Sequence, residues 1–167
     1  MELARSVKCA EEVACIRRSL AVAEIGIERM REALRPGITE IALWAELHHA
    51  KIAHGGEWIE TRLLSSGPRT NPWFQEASDR PILAGELVSF DTDLIGPYGY
   101  CADISRTLFC GPGRPTAAQR TLYALAAEQV AFNCELLRPG RSFHECAALA
   151  WKVPAGSAGS LVNHRST

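Results

Sequence analysis

The tetrapeptide Leu-Arg-Pro-Gly occurs twice in this chain, at residues 34–37 and 137–140. Each copy separates a long segment with the apolar period of an amphipathic helix from a second, Ala-containing segment that leads to a tryptophan. Because the flanks match as well as the four letters, the pattern favours two copies of one supersecondary unit, which restricts the fold to architectures with internal repetition. The alternative is two independent helix stops, since proline cannot continue a helix and glycine tolerates a positive φ.

Apolar periodicity and turn signals divide the chain into the order helix, helix, strands, helix, helix. Apolar residues at steps of three and four predict a first helix over 7–34, and Thr39 is the expected N-cap of a second helix that ends at Gly55. Alternating stretches at 86–95 and 100–110 predict a β-hairpin around a turn at 96–99. Two further helices are expected at 116–137 and 142–151. This order indicates an α+β fold.

Charge and composition exclude several classes of function. The 18 Lys and Arg residues nearly balance the 19 Asp and Glu residues, so no whole-chain field attracts nucleic acid or an anionic membrane. No apolar run reaches the roughly 18 residues that span a bilayer, and the first residues lack a hydrophobic signal core. We therefore expect a cytoplasmic protein that binds neither nucleic acid nor a membrane. The six cysteines form no CxxC pair and are expected to be buried thiols.

The predicted hairpin carries three aspartates. Asp91 and Asp93 share one face of a strand because they are two residues apart, while the apolar residues between and around them take the other face. Asp91 and Asp103 each lie six residues from Pro97, so a regular hairpin centred on that proline places them opposite each other. The pattern predicts that the three carboxylates converge.

Converging carboxylates need a positive partner, since like charges that face each other across a ladder are destabilising. A divalent metal ion meets that need, and all-oxygen ligation suits hard or borderline ions such as Mg, Mn or Fe(II). A carboxylate that bridges two ions would suit a two-metal site. The alternative is a solvated hairpin whose aspartates face water. The five histidines show no ligand spacing and are expected at the surface or the edge of the core.

At this hairpin the sequence resembles the M24 metallopeptidase superfamily, which includes methionine aminopeptidases, Xaa-Pro aminopeptidases, prolidases and creatinases. The resemblance covers roughly residues 8–151 and is carried by the spaced aspartates, the Gly-Tyr turn, and Ser-Arg-Thr at 105–107. It implies the pita-bread fold, with a first repeat that is complete and a second that contributes only its helices. It also implies Asp91, Asp93 and Asp103 as ligands of a dinuclear divalent metal centre. The other ligands of that family, one histidine and two glutamates, would then lie beyond Trp151.

Two departures from the peptidase pattern indicate which branch of the superfamily the sequence resembles. Peptidases of this fold carry a catalytic histidine shortly after a Ser-Gly step, where this chain has Trp73 and Phe74. The Asp-Thr-Asp run, one extra hairpin residue and the segment 55–76 resemble the dimethylsulfoniopropionate (DMSP) lyases. That resemblance implies a small-molecule substrate and a β-elimination that yields dimethyl sulfide and acrylate. It also implies iron, with Mn, Zn or Co as alternatives, and a homodimer of the full-length protein. Trp73 and Phe74 would hold the sulfonium by cation–π attraction, or would simply pack the loop.

The expected organisation is a partial catalytic domain at residues 1–154 and an atypical tail at 155–167 that indicates a truncation or a frame change, with a flexible tail as the alternative. The full-length parent is expected to be an enzyme, and the 167-residue chain alone to bind metal weakly and lack activity. The pattern assigns no general base. Two alternatives stay open, namely a hydrolase similar to Xaa-Pro aminopeptidase or prolidase, and a non-catalytic binding protein with the same fold.

Overall fold

The computed structural model describes residues 5–153, and the chain divides into two compact units, residues 1–113 and residues 114–167. The helices are α1 (Ala10–Ala33) and α2 (Glu40–Ala53) in the first unit, and α3 (Ala117–Leu136) and α4 (Phe143–Leu149) in the second. The strands, all in the first unit, are β1 (Trp58–Ile59), β2 (Leu64–Ser66), β3 (Leu87–Asp91), β4 (Leu94–Ile95), β5 (Cys101–Ala102) and β6 (Ser105–Phe109). The predicted order of elements is confirmed. The proposed tail at 155–167 lies outside the described residues.

Matching local signals build both helix pairs. Thr39 caps α2 by accepting a hydrogen bond from the Ala42 amide, and Ser142 caps α4 by accepting one from the Glu145 amide, both at 3.2 Å. The glycine of each repeated tetrapeptide has a left-handed backbone, with φ of +90° at the first copy and +84° at the second. The duplicated sequence therefore forms the same turn twice. The last helix ends at Leu149, two residues before its predicted end.

Six short strands form two antiparallel three-stranded sheets, with strand orders β1–β4–β5 and β2–β3–β6. The predicted hairpin is present, but its two arms are shared between the sheets. The outer part, β3 with β6, belongs to one sheet, and the inner part, β4 with β5, belongs to the other. The ladder is therefore interrupted at residues 92–93 on one arm and 103–104 on the other.

The core of the first unit lies where α1 and α2 pack against the sheets. The hairpin alternation is confirmed, because the even-numbered residues from 88 to 94 are fully buried and the odd-numbered residues from 87 to 93 are half-buried. Gly26 allows α1 and α2 to approach closely, since a Cβ atom there would lie 2.4 Å from the Leu47 side chain. The acidic face of the hairpin is thus anchored on an apolar one.

The cysteines do not follow the expectation of buried thiols. Of the six, only Cys110 is buried, while Cys9, Cys101 and Cys134 are exposed. Cys9 is the N-cap of α1, and Cys101 is the exposed residue of β5, whose other residue, Ala102, is buried. No helix within the described residues is both long and apolar enough to cross a membrane.

Candidate metal centre

The three aspartates predicted as metal ligands come together at the interruption of the hairpin. One carboxylate oxygen from each of Asp91, Asp93 and Asp103 lies within 4.8 Å of the others. Asp91 is the last residue of β3, and Asp103 lies between β5 and β6. Asp91 and Asp93 are half-buried and Asp103 is exposed. The predicted convergence is confirmed, and no histidine or cysteine among residues 5–153 joins the group.

The predicted cross-strand partner of Asp91 is wrong. Asp91 pairs with Ser105, not with Asp103. The Gly96 amide donates to the Tyr100 carbonyl at 2.9 Å, so the turn contains three residues and the hairpin is centred on Tyr98 rather than on Pro97. The same register places Asp103 level with Asp93. The carboxylates still converge because a shift of two residues leaves every side chain on the same face of the hairpin.

Two neighbouring hydroxyl groups hold two of the carboxylates. Ser105 Oγ donates to Asp91 Oδ1 at 2.9 Å, and Thr61 Oγ1 donates to Asp93 Oδ2 at 2.5 Å. Asp93 has φ +37°, a left-handed conformation that few non-glycine residues adopt. Sequence reasoning missed Thr61, which lies 32 residues from its partner and carries no motif that would reveal the contact.

The crowding of negative charge raises the pKa of Asp103. Its pKa is raised to about 6, first by the side-chain hydrogen bond with Asp91, then by burial and by the charges of Asp91 and Asp93. A backbone hydrogen bond from Asp93 acts in the opposite direction. The ion pairs found within the described part of the chain involve other carboxylates. The raised pKa of Asp103 therefore reflects negative charge that no cation of the described residues offsets.

The donor set fits a hard divalent cation. All three groups offer carboxylate oxygens, the ligands that Mg, Mn and Fe(II) prefer. A cation bound there would offset the repulsion that raises the pKa of Asp103. The cluster supplies ligands from one hairpin only, so it forms one side of a possible metal centre.

The predicted substrate-binding residues Trp73 and Phe74 form a separate aromatic pair. Their ring centroids lie 6.1 Å apart with the planes tilted by 60°, and Phe74 is 70% exposed. Their loop returns to the sheet through a bridge between Glu76 and Leu63. The Leu63 carbonyl in turn accepts a hydrogen bond from the Asp91 amide at 2.9 Å. The loop is therefore anchored beside the strand that ends in Asp91, and the contact of the two rings with a substrate stays a prediction.

Sequence reasoning also missed Glu40, a fully buried carboxylate at the start of α2. Its oxygens accept hydrogen bonds from the amides and hydroxyls of Ser66 and Ser78 and from the guanidinium of Arg69. Burial raises the pKa of Glu40, but these hydrogen bonds together hold it below its ordinary value. The network ties α2 to both ends of the segment 66–78, which carries the aromatic pair. In the sequence, this glutamate resembles any acidic residue of a first helical turn.

Comparison with known proteins places the chain in a family. Residues 14–166 match metallopeptidase family M24, and the chain belongs to this family. Enzymes of the family typically depend on a dinuclear metal centre, which agrees with the acidic cluster at the hairpin.

Two relatives are DMSP lyases named DddP. The lyase of Roseobacter denitrificans is 44% identical over an alignment of 154 residues that covers 88% of this chain and 34% of the lyase. The lyase of Roseovarius nubinhibens is 46% identical over an alignment of 149 residues that covers 86% of this chain and 33% of the lyase. The chain thus spans about a third of the length of the curated relatives it matches.

A solved structure confirms the predicted fold. The Xaa-Pro dipeptidase from Bacillus anthracis superposes with a TM-score of 0.79 at 25% identity, covering 89% of this chain and 41% of that one. The α+β, pita-bread prediction is therefore correct for the described residues, in which the second repeat contributes the helix pair α3–α4.

Proposed function

We propose that this chain supplies the aspartate side of the metal centre of a C–S lyase that cleaves DMSP into dimethyl sulfide and acrylate. The observation that carries the proposal is its 44% and 46% identity to two DMSP lyases, against 32% to an Xaa-Pro aminopeptidase. The departure from the peptidase pattern at Trp73 and Phe74 supports the same choice. The proposal includes the partial catalytic domain at 1–154 with an atypical tail, the cytoplasmic location and the homodimer of the full-length protein.

In this proposal Asp91, Asp93 and Asp103 hold a divalent metal in a dinuclear centre, with iron favoured and Mn, Zn or Co as alternatives. The metal, when bound, supplies positive charge that holds a substrate carboxylate and acidifies the adjacent α-proton. Ser105 and Thr61 orient two of the carboxylates through the hydrogen bonds described above. The protein itself therefore contributes three carboxylates, two of which are oriented by hydrogen bonds from hydroxyl groups.

Trp73 and Phe74 are proposed to bind the sulfonium group of the substrate. An aromatic face attracts a cation, and a sulfonium carries its charge without donating hydrogen bonds, so ring faces suit it better than carboxylates do. We expect a Trp73→Ala/Phe74→Ala double variant to weaken substrate binding. Tyr98→Ala, which removes an exposed ring from the hairpin turn, is the matched control. Unchanged substrate affinity in the double variant would leave loop packing as the role of the pair.

The activity is tested in a chimera, because the chain spans about a third of its relatives. The 149 matched residues of the Roseovarius nubinhibens lyase are replaced by those of this chain, and release of dimethyl sulfide is measured by headspace gas chromatography. We expect release, and its loss when Asp103→Asn is added to the chimera. Glu145→Gln, at an exposed cap on α4, is the control and is expected to leave release unchanged.

Other results of this assay would favour the alternatives. Hydrolysis of an X-Pro dipeptide without release of dimethyl sulfide favours a peptidase. A folded chimera with neither activity favours a non-catalytic binding protein. The 167-residue chain alone is expected to bind metal weakly and to show no turnover, and robust turnover by it would contradict that expectation.

A further inference from the structure

Thr92 is a fully buried polar residue in the middle of the acidic hairpin. It lies between Asp91 and Asp93 in the chain, and its side chain points to the opposite, apolar face. Its hydroxyl donates to the Ala102 carbonyl at 3.2 Å and accepts from the Ile104 amide at 2.9 Å. Ala102 and Ile104 are the two residues that flank Asp103. One hydroxyl therefore connects the backbone that carries two of the aspartates to the backbone on both sides of the third.

The position of this hydroxyl coincides with the gap in the ladder. Regular backbone pairing ends at Asp91 with Ser105 and resumes at Leu94 with Ala102. Between these pairs, the Thr92 side chain makes the cross-strand bonds that a ladder would otherwise make. Because the residue is fully buried, water does not compete for these bonds, and an unmatched amide or carbonyl there would be costly.

The residue type also suits this task. A β-branched side chain has few χ1 rotamers in a strand, so its hydroxyl is held in one direction, while its methyl group fills part of the apolar face. Valine has the same shape without the hydroxyl, and serine has the hydroxyl without the methyl group. These two residues therefore separate the hydrogen bonds from the packing.

We propose that Thr92 is a positioning residue of the metal centre, whose hydroxyl sets the distance of the Asp103 carboxylate from those of Asp91 and Asp93. The inference rests on the proposed role of the three aspartates as metal ligands. Loss of the hydroxyl lets the 103–104 arm shift relative to the 92–93 arm, so the three carboxylates no longer converge on one ion.

The test measures Mn²⁺ binding by the chimera described above, with free Mn²⁺ followed by electron paramagnetic resonance and folding followed by circular dichroism. We expect Thr92→Val to weaken binding by about ten- to a hundredfold, the range typical of residues that orient metal ligands. Thr92→Ser is expected to restore most of the affinity, because it restores both hydrogen bonds. If the side chain only packed the apolar face, Mn²⁺ affinity would follow the stability of the fold. Thr92→Ser would then bind Mn²⁺ no more tightly than Thr92→Val at equal stability.

The matched control is Thr107→Val. Thr107 shares a hydroxyl contact of 3.1 Å with Ser89 in the same hairpin, at a position where the backbone ladder is intact. This variant is expected to retain Mn²⁺ affinity. If Thr92→Val does not fold, Thr92→Cys replaces it, because a thiol is a small side chain with only weak hydrogen-bonding capacity.

The outcomes separate this inference from the proposed function. Mn²⁺ binding that depends on Asp103, yet is equal in the parent chimera and in its folded Thr92→Val or Thr92→Cys variant, overturns the positioning role alone. Binding that is absent in the folded parent chimera, or unchanged when Asp103→Asn is added, overturns the metal centre and the positioning role with it. Equal weakening in Thr92→Val and Thr107→Val also overturns the inference, since any lost hydroxyl would then have the same effect.

Discussion

The two helix pairs of this chain begin from the same tetrapeptide and end in opposite environments. In α1–α2 the second helix starts with Glu40, a charged side chain that is fully buried. In α3–α4 the corresponding residue is Phe143, an apolar side chain that is 88% exposed. Both helices have an N-cap hydroxyl one residue earlier and a left-handed glycine two residues before that. Equal local signals have therefore produced equal turns but not equal burial.

The difference in burial arises from the elements that surround each helix pair. The first pair packs against four strands, α1 against β4 and β5 and α2 against β1 and β2, and has buried residues in both helices. Within the described residues, neither α3 nor α4 has a buried side chain. A helical hairpin is a local product of caps and turns, while burial requires other elements to cover it. The following substitutions compare similar side chains in the two pairs.

The largest difference is expected from leucines in the second helix of each pair. Leu47 is fully buried in α2, while Leu149 in α4 is 53% exposed. Leu47→Ala should lower the free energy of unfolding of the first unit by about 2–5 kcal/mol, because it opens a cavity against α1. Leu149→Ala should change stability by less than about 0.5 kcal/mol. Urea titration followed by circular dichroism measures both, and a large loss in Leu149→Ala would indicate that another chain covers α4.

The next effect is expected from the glutamates near the start of the same helices. Glu40→Gln leaves Arg69 without its charged partner and should cost about 3 kcal/mol of unfolding free energy, as the loss of one partner of a buried pair does. Glu145→Gln removes a charge from an exposed capping box and should cost far less. Urea titration at neutral pH compares the two variants. A similar cost for both would mean that the buried network adds nothing beyond an ordinary cap.

Lowering the pH should reduce the contribution that Glu40 makes to the free energy of unfolding. Its folded pKa lies below the ordinary value of 4.5, so its contribution to stability is present above that pH and is lost as the pH falls through the folded pKa. Glu86 has the same sign, first because of its hydrogen bond from Arg80. Thermal unfolding of wild type and Glu40→Gln across this acid range should give converging midpoints. A constant difference down to low pH would contradict the ionised state of Glu40.

The smallest effect is expected where the two pairs are most alike. Thr39→Ala and Ser142→Ala each remove the hydroxyl that caps the second helix of a pair, and each should cost about 1 kcal/mol locally. Amide hydrogen exchange at Ala42 and Glu145, the residues that donate to the two caps, measures the local cost. Faster exchange in only one variant would mean that the duplicated turns differ in their local energetics.

Most of the local structure could be predicted from the sequence, because it depends on residues close in the chain. Periods of three and four residues indicated all four helices, and Thr39 was identified as a cap. The alternation around Phe90 indicated which face is buried and that the aspartates share the other one. The predicted partner of Asp91 was wrong by two residues, because a hairpin centred on Pro97 cannot be told by composition alone from one centred on Tyr98.

The remaining features depend on contacts between distant segments. The sequence by itself determined the two helix pairs, the acidic face of the hairpin and the three aspartates on it. Only the tertiary structure decided that the hairpin is shared between two sheets, that Thr61 and Thr92 hold the acidic segment, and that Glu40 is buried. The physical reason is that caps and periodicity act within a few residues, whereas a buried hydrogen bond forms only where folding brings a donor and an acceptor together and excludes water.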